Sequence, residues 1–118
     1  MILYWNIPGR YDGLTIFPFI FIRPASRNDV GLLIHEKVHY EEQRQSWVLP
    51  WFLKYGLSKS WRLAAEARAY AAQLAYYESE GKADRLQILA EHLSKNYRLK
   101  LTVDQAAAAI QAELSRTA

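Results

Sequence analysis

Residues 58–81, SKSWRLAAEARAYAAQLAYYESEG, place Leu63, Ala67, Tyr70, Leu74 and Tyr77 at alternating steps of four and three. That spacing keeps all five side chains on one face of a helix and gives it an apolar stripe to bury. Ser58 or Ser60 caps the start, and Gly81 ends the helix near Glu80. A helix with one apolar face needs partners, and the flanking chain supplies them. Downstream, a further helix is expected from about Ala83 to Lys95. Thr102 with Gln105 three residues on then forms a capping box for a last, alanine-rich helix. Upstream, residues 47–57 hold Trp47, Trp51, Phe52 and Tyr55, interrupted by Pro50 and closed by Gly56, and read as a short helix or a turn-rich connection belonging to the core or to a partner surface. Before them, Ser26, Asn28 and Asp29 offer caps for a helix running to about Arg44.

The amino-terminal part has a different character. Residues 2–7 and 14–22 are rich in Ile, Phe, Tyr and Trp, with Pro8-Gly9 and Asp12-Gly13 between them as turn chemistry. They are expected to form a β-hairpin or two edge strands, with Pro18 placing part of the second run where a missing N–H does no harm. Strands first and helices after define an α+β chain. At 118 residues it is a single domain spanning 1–118.

Composition narrows the function classes. With 51% hydrophobic and 14% aromatic residues and few Gly or Pro, the chain folds around a core. No cysteine is present, so any metal must be held by nitrogen and oxygen. The net charge of +3 comes from cations interleaved with carboxylates, and the small cluster Lys95, Arg98 and Lys100 is too short for a nucleic-acid stripe. The longest apolar run, 14–22, falls well short of the roughly 20 residues of a membrane span. The first residues show no basic stretch or cleavage pattern of a secretory signal.

His35-Glu36-Lys37-Val38-His39 carries the chemistry. Residues i and i+4 of a helix lie about 40° apart, so both imidazoles reach one ion. Glu36, rotated about 100° from His35, is placed to act on water beside the ion as a general base. Shuffling a chain with 3 His among 118 residues produces this pattern roughly three times in a thousand, so chance explains it poorly. Val30, Ile34 and Val38 are expected to set the motif against the core.

A catalytic zinc site takes three protein ligands and keeps the fourth position open. Glu42 and Gln45 stand where a metzincin needs Gly and His, which excludes that class. Glu66, at the edge of the stripe on the long helix, is the leading third ligand, with Glu78 and His92 as alternatives. Tyr70, one turn after Glu66, is expected to donate a hydrogen bond to a developing oxyanion. Gln43 is expected to orient a ligand from behind.

The five-residue motif followed by Glu66-Ala67-Arg68-Ala69-Tyr70 resembles the gluzincin branch of zinc metallopeptidases, in which two His and a downstream Glu hold zinc. The layout also resembles short metallopeptidase-like proteins of bacteriophages and prophages. The resemblance implies Zn2+ as cofactor and a peptide or protein substrate. It also implies an extended peptide added beside an edge strand at residues 19–22, and a location in the cytoplasm of a bacterial host or in the virion. The expected function is thus zinc-dependent amide hydrolysis. Two alternatives are a zinc-binding phage assembly or host-interaction protein without turnover, and a helical interaction domain.

Overall fold

In the computed structural model, which describes residues 1–82 and 84–117, three short strands precede five α-helices. The strands are β1 (Ile2–Tyr4), β2 (Gly13–Ile16) and β3 (Phe19–Ile22). The helices are α1 (Val30–Ser46), α2 (Val48–Leu57), α3 (Lys59–Ser79), α4 (Leu86–Asn96) and α5 (Val103–Thr117). The α+β class read from the sequence is the class observed. The expected helix start at Ala83 lies outside the described residues.

The helix ends follow local chemistry. Asp29 caps α1 by accepting from Leu32 N at 3.0 Å, and Ser58 caps α3 by accepting from Trp61 N at 3.2 Å. Thr102 and Gln105 close their box in both directions, at 3.1 and 2.9 Å. Gly81, at φ +71°, reverses the chain after α3 while Lys82 N donates to Tyr77 O at 2.9 Å. Pro50 lies in the first turn of α2, where its missing N–H has no intrahelical partner to lose.

The strands pair otherwise than expected. The run 14–22 folds back on itself: β2 and β3 are antiparallel, with Ile16 opposite Phe19, so Phe17 and Pro18 make the turn. β1 pairs in parallel with the other side of β3, giving the order β1-β3-β2. The segment 19–22 is therefore the central strand, not an edge, and has no side left for a substrate peptide. Arg23, just past β3, contributes to this arrangement. Its guanidinium donates to the carbonyls of Ile7 and Gly9 and so holds the 5–12 loop across the end of the sheet.

The stripe of α3 enters the main apolar core. Tyr70, Ala71 and Leu74 meet Leu89, Ala90 and Leu93 of α4 and Ala106 and Ile110 of α5, with Leu63 and Tyr77 partly buried against them. The adjacent face of α3 receives α1, with Tyr70 and Tyr77 reaching both, and two features let the helices approach closely. Ala65 and Ala69 are wholly buried. A Cβ on Gly31 would lie 2.5 Å from the Tyr77 ring.

The inward face of α1 is the polar one. Its buried residues are Gly31, His35, Glu36, His39 and Gln43, whereas Val30 is exposed and Ile34 and Val38 are only partly covered. This corrects the expectation that the valine and isoleucine positions set the motif against the core. Burying five such positions is tolerable only where the polar ones find partners. β2 and α3 provide them. Gln43 is fully buried, donates to Thr15 O at 2.9 Å and accepts from Phe17 N at 2.8 Å. It fastens the hairpin to α1 and does not orient a ligand, because at one turn beyond His39 it faces the strand turn.

Candidate metal centre

α1 presents His35 and His39 one above the other, and α3 crosses behind them with Glu66. His35 Nε2 lies 3.0 Å and His39 Nε2 3.1 Å from the same oxygen, Glu66 Oε1. All three residues are at least 95% buried, as their exposures of 3, 5 and 3% show. One ligand atom from each falls within 4.8 Å of the others, and among the described residues this is the group able to hold a metal ion. Glu78 and His92 stay outside it: Glu78 is exposed near the end of α3, and His92 is exposed on α4.

The outer ring nitrogens face fixed partners. Asp29 Oδ1 accepts from the Tyr77 hydroxyl at 3.3 Å, and Tyr77 accepts from Gln73 Nε2 at 3.1 Å. That orientation turns Gln73 Oε1 toward His35 Nδ1, at 3.1 Å. A carbonyl oxygen only accepts, so His35 carries a proton on Nδ1 and, when neutral, a lone pair on Nε2. His39 Nδ1 likewise faces an acceptor, Glu42 Oε1 at 3.2 Å. Glu42 is itself held by Arg68, with contacts at 2.8 and 2.7 Å, and by Trp51 Nε1 at 3.3 Å.

Both imidazoles therefore have acceptors on both sides. Each Nε2 can meet the Glu66 oxygen only through a second ring proton or through a shared cation. Ligating histidines that donate their other N–H to carboxylate or carbonyl groups are the general pattern of metal sites, and the residues fit a metal on that ground. Without one, the cluster responds as coupled charges. Burial alone would raise the Glu66 carboxyl, but the charge of His39 and hydrogen bonds from both imidazoles hold it far below the usual range. Burial opposes the charged form of His39, yet the Glu66 carboxylate, together with Glu42, keeps its pKa well above the ordinary value. The second Glu66 oxygen accepts from the Tyr55 hydroxyl at 2.6 Å.

Removing the outer partner has a calculable consequence. Where the group takes up a metal, Glu42→Ala should weaken that binding roughly 10- to 100-fold while leaving the helices intact, a change read directly by competition with a chromogenic chelator.

Glu36 stands beside the group and is buried. Thr15 Oγ1 donates to its carboxylate at 2.8 Å and approaches its main-chain carbonyl at 3.1 Å, so β2 fixes the rotamer. Gly13 is needed here for space: a Cβ would lie 2.9 Å from Glu36 Cγ. Two cavities meet at this point, both walled by Gly13, His35, Glu36 and Tyr97. One, of about 260 Å³, is the more polar of the two and includes Arg10, Asp12, Gln73, Arg85 and His92. The other, of about 150 Å³, is walled by Leu14, Trp51, Phe52 and Tyr55 and reaches His39 and Glu66. The aromatic segment of α2 thus lines a cavity as well as the core.

Tyr70 sets its ring edge-on to His35, 4.3 Å between centroids, and its hydroxyl is 2.7 Å from that of Tyr97. Burial and then the Glu66 charge push its phenol upward, so it stays protonated. It belongs to the apolar core and to the wall of the polar cavity alike.

Sequence reasoning missed Tyr55, Gln73, Thr15 and the outer role of Glu42. Only Gln73, one helical repeat of seven after Glu66, carried a periodic signal. No protein-family model matches this chain, and no curated protein or solved structure matches it either.

Proposed function

We propose that the protein is a zinc-dependent peptidase of the gluzincin type, with His35, His39 and Glu66 as the metal ligands and Glu36 as the general base. The observation that carries this reading is the convergence of both Nε2 atoms on one Glu66 oxygen while both Nδ1 atoms face acceptors. Two neutral imidazoles and one carboxylate suit zinc, and three protein ligands leave a position for water. Bound there, zinc supplies a Lewis acid that polarises a carbonyl and brings the pKa of water near neutrality.

The chain's own residues account for the remaining steps. Glu36, oriented by Thr15, accepts the proton of the attacking water and passes it to the departing amine nitrogen. Tyr70 holds its proton and is a hydrogen-bond donor for the oxyanion side. Leu14 and Ile16 pair with β3 through their main chain, which turns the main-chain groups of Gly13 and Thr15 to the free edge of β2. Gln43 occupies the Thr15 carbonyl. The Gly13 end of that edge, beside Glu36, is where an extended peptide adds as a further strand.

The reading is tested by metal analysis of the purified chain together with cleavage of a peptide mixture followed by mass spectrometry. One equivalent of zinc and cleavage that a chelator stops and added zinc restores are expected. A chain that takes up no metal at neutral pH, or cleavage indifferent to chelation, overturns it.

A further inference from the structure

Helix α2 is apolar on both faces. Trp51, Phe52 and Tyr55 point inward to the cleft, while Leu49, Leu53 and Leu57, one turn apart, point outward at 69, 53 and 85% exposure. Trp47, just before the helix, is 78% exposed. A helix apolar all round belongs inside a protein or a membrane, not at a water interface. Something covers this outer face.

The surrounding charge identifies the cover. Residues 43–65 contain Arg44, Lys54, Lys59 and Arg62 and not one Asp or Glu, in a chain with 12 carboxylates. Lys54 and Lys59 are exposed, so the apolar strip is rimmed by ammonium groups. A second copy docked by twofold symmetry would set Lys54 and Lys59 against their own counterparts. Its share would also be small: four such side chains offer on the order of 500 Å², against about 800 Å² per partner in a stable interface. A surface of anionic phospholipid meets every feature. Leucines enter the acyl boundary, a tryptophan sits at headgroup level, and lysines pair with phosphates. No helix among the described residues is long and apolar enough to cross a membrane, and lying on one requires no such span.

We propose that the outer face of α2 docks the protein on anionic bilayers, with Trp47, Leu49, Leu53 and Leu57 as the inserting residues and Lys54 and Lys59 as the lipid-phosphate contacts. Because the inner face of the same helix walls the apolar cavity, docking holds the cleft about one helix diameter, roughly 10 Å, from the lipid.

The test is co-sedimentation of the full chain with vesicles of phosphatidylcholine alone and of phosphatidylcholine mixed with phosphatidylserine. It requires neither metal nor turnover, so it stands apart from the proposed hydrolysis. Binding to the anionic vesicles roughly thirtyfold tighter than to the neutral ones is expected for two lysines at the surface, weakening as salt rises. Leu53→Glu combined with Leu57→Glu, both at exposed positions, should abolish it with an unchanged circular dichroism spectrum. Val30→Glu, exposed at the far end of α1, should leave it intact. The proposal is overturned by wild-type protein that stays in the supernatant, by binding indifferent to lipid charge, or by a double variant that sediments as before. A concentration-dependent dimer lost in the double variant, with vesicles ignored, assigns the face to a second copy and overturns it equally.

Discussion

Glu36→Gln is expected to keep its metal and to lose peptide hydrolysis by roughly 10²- to 10⁴-fold, the usual contribution of a positioned general base. The substitution is close to isosteric. The Thr15 hydroxyl, which donates to Glu36 Oε1 at 2.8 Å, finds a carbonyl oxygen in the amide and can donate to it equally well. The packing against Gly13 demands the same volume. What the amide cannot do is accept a proton from water. Cleavage rates measured by mass spectrometry, beside zinc content measured by elemental analysis, separate the two roles of a carboxylate at this position. Activity retained within about threefold would remove Glu36 as the base, and loss of metal would make it a ligand.

Stripping zinc from the loaded protein is expected to lower the melting temperature by roughly 10–20 °C. A metal held at a thousandfold excess over its dissociation constant stabilises the native state by about 4 kcal/mol. For a domain of this size each kcal/mol moves the midpoint by roughly 3–5 °C. The structural reason lies in what the ion joins. His35 and His39 belong to α1 and Glu66 to α3, so the ion would tie the two helices together at the polar group buried between them. Removing the cation leaves His39 between the Glu66 and Glu42 carboxylates, which favour a second ring proton against the opposing effect of burial. Zinc affinity therefore falls as pH is lowered, since binding must displace that proton. Differential scanning calorimetry with and without chelator measures the shift. His39→Ala should abolish the metal-dependent part, and an identical melting curve for loaded and stripped wild type would refute the site.

The separate elements of this chain were legible because their signals are local. A capping box spans four residues, an amphipathic stripe repeats within two turns, and two histidines at i and i+4 face one way in any α-helix. Thus α3, the box at Thr102 and Gln105, and the pairing of His35 with His39 could be read directly. Glu66 was also within reach, since a carboxylate beside an apolar stripe demands a partner.

Tertiary structure alone decided the rest. Residues 19–22 became the central strand because Phe17 and Pro18 turn the chain and β1 arrives from a distance, a pairing with no signature in the strands themselves. The polar side of α1 became its buried side because Thr15, Gln73 and Glu66, from elements up to 38 residues away in sequence from the groups they meet, supply the hydrogen bonds that make such burial tolerable. Sequence specifies what a side chain can donate, accept or ligate, while packing specifies which partner stands opposite, and a metal centre of neutral imidazoles exists only where the second condition joins the first.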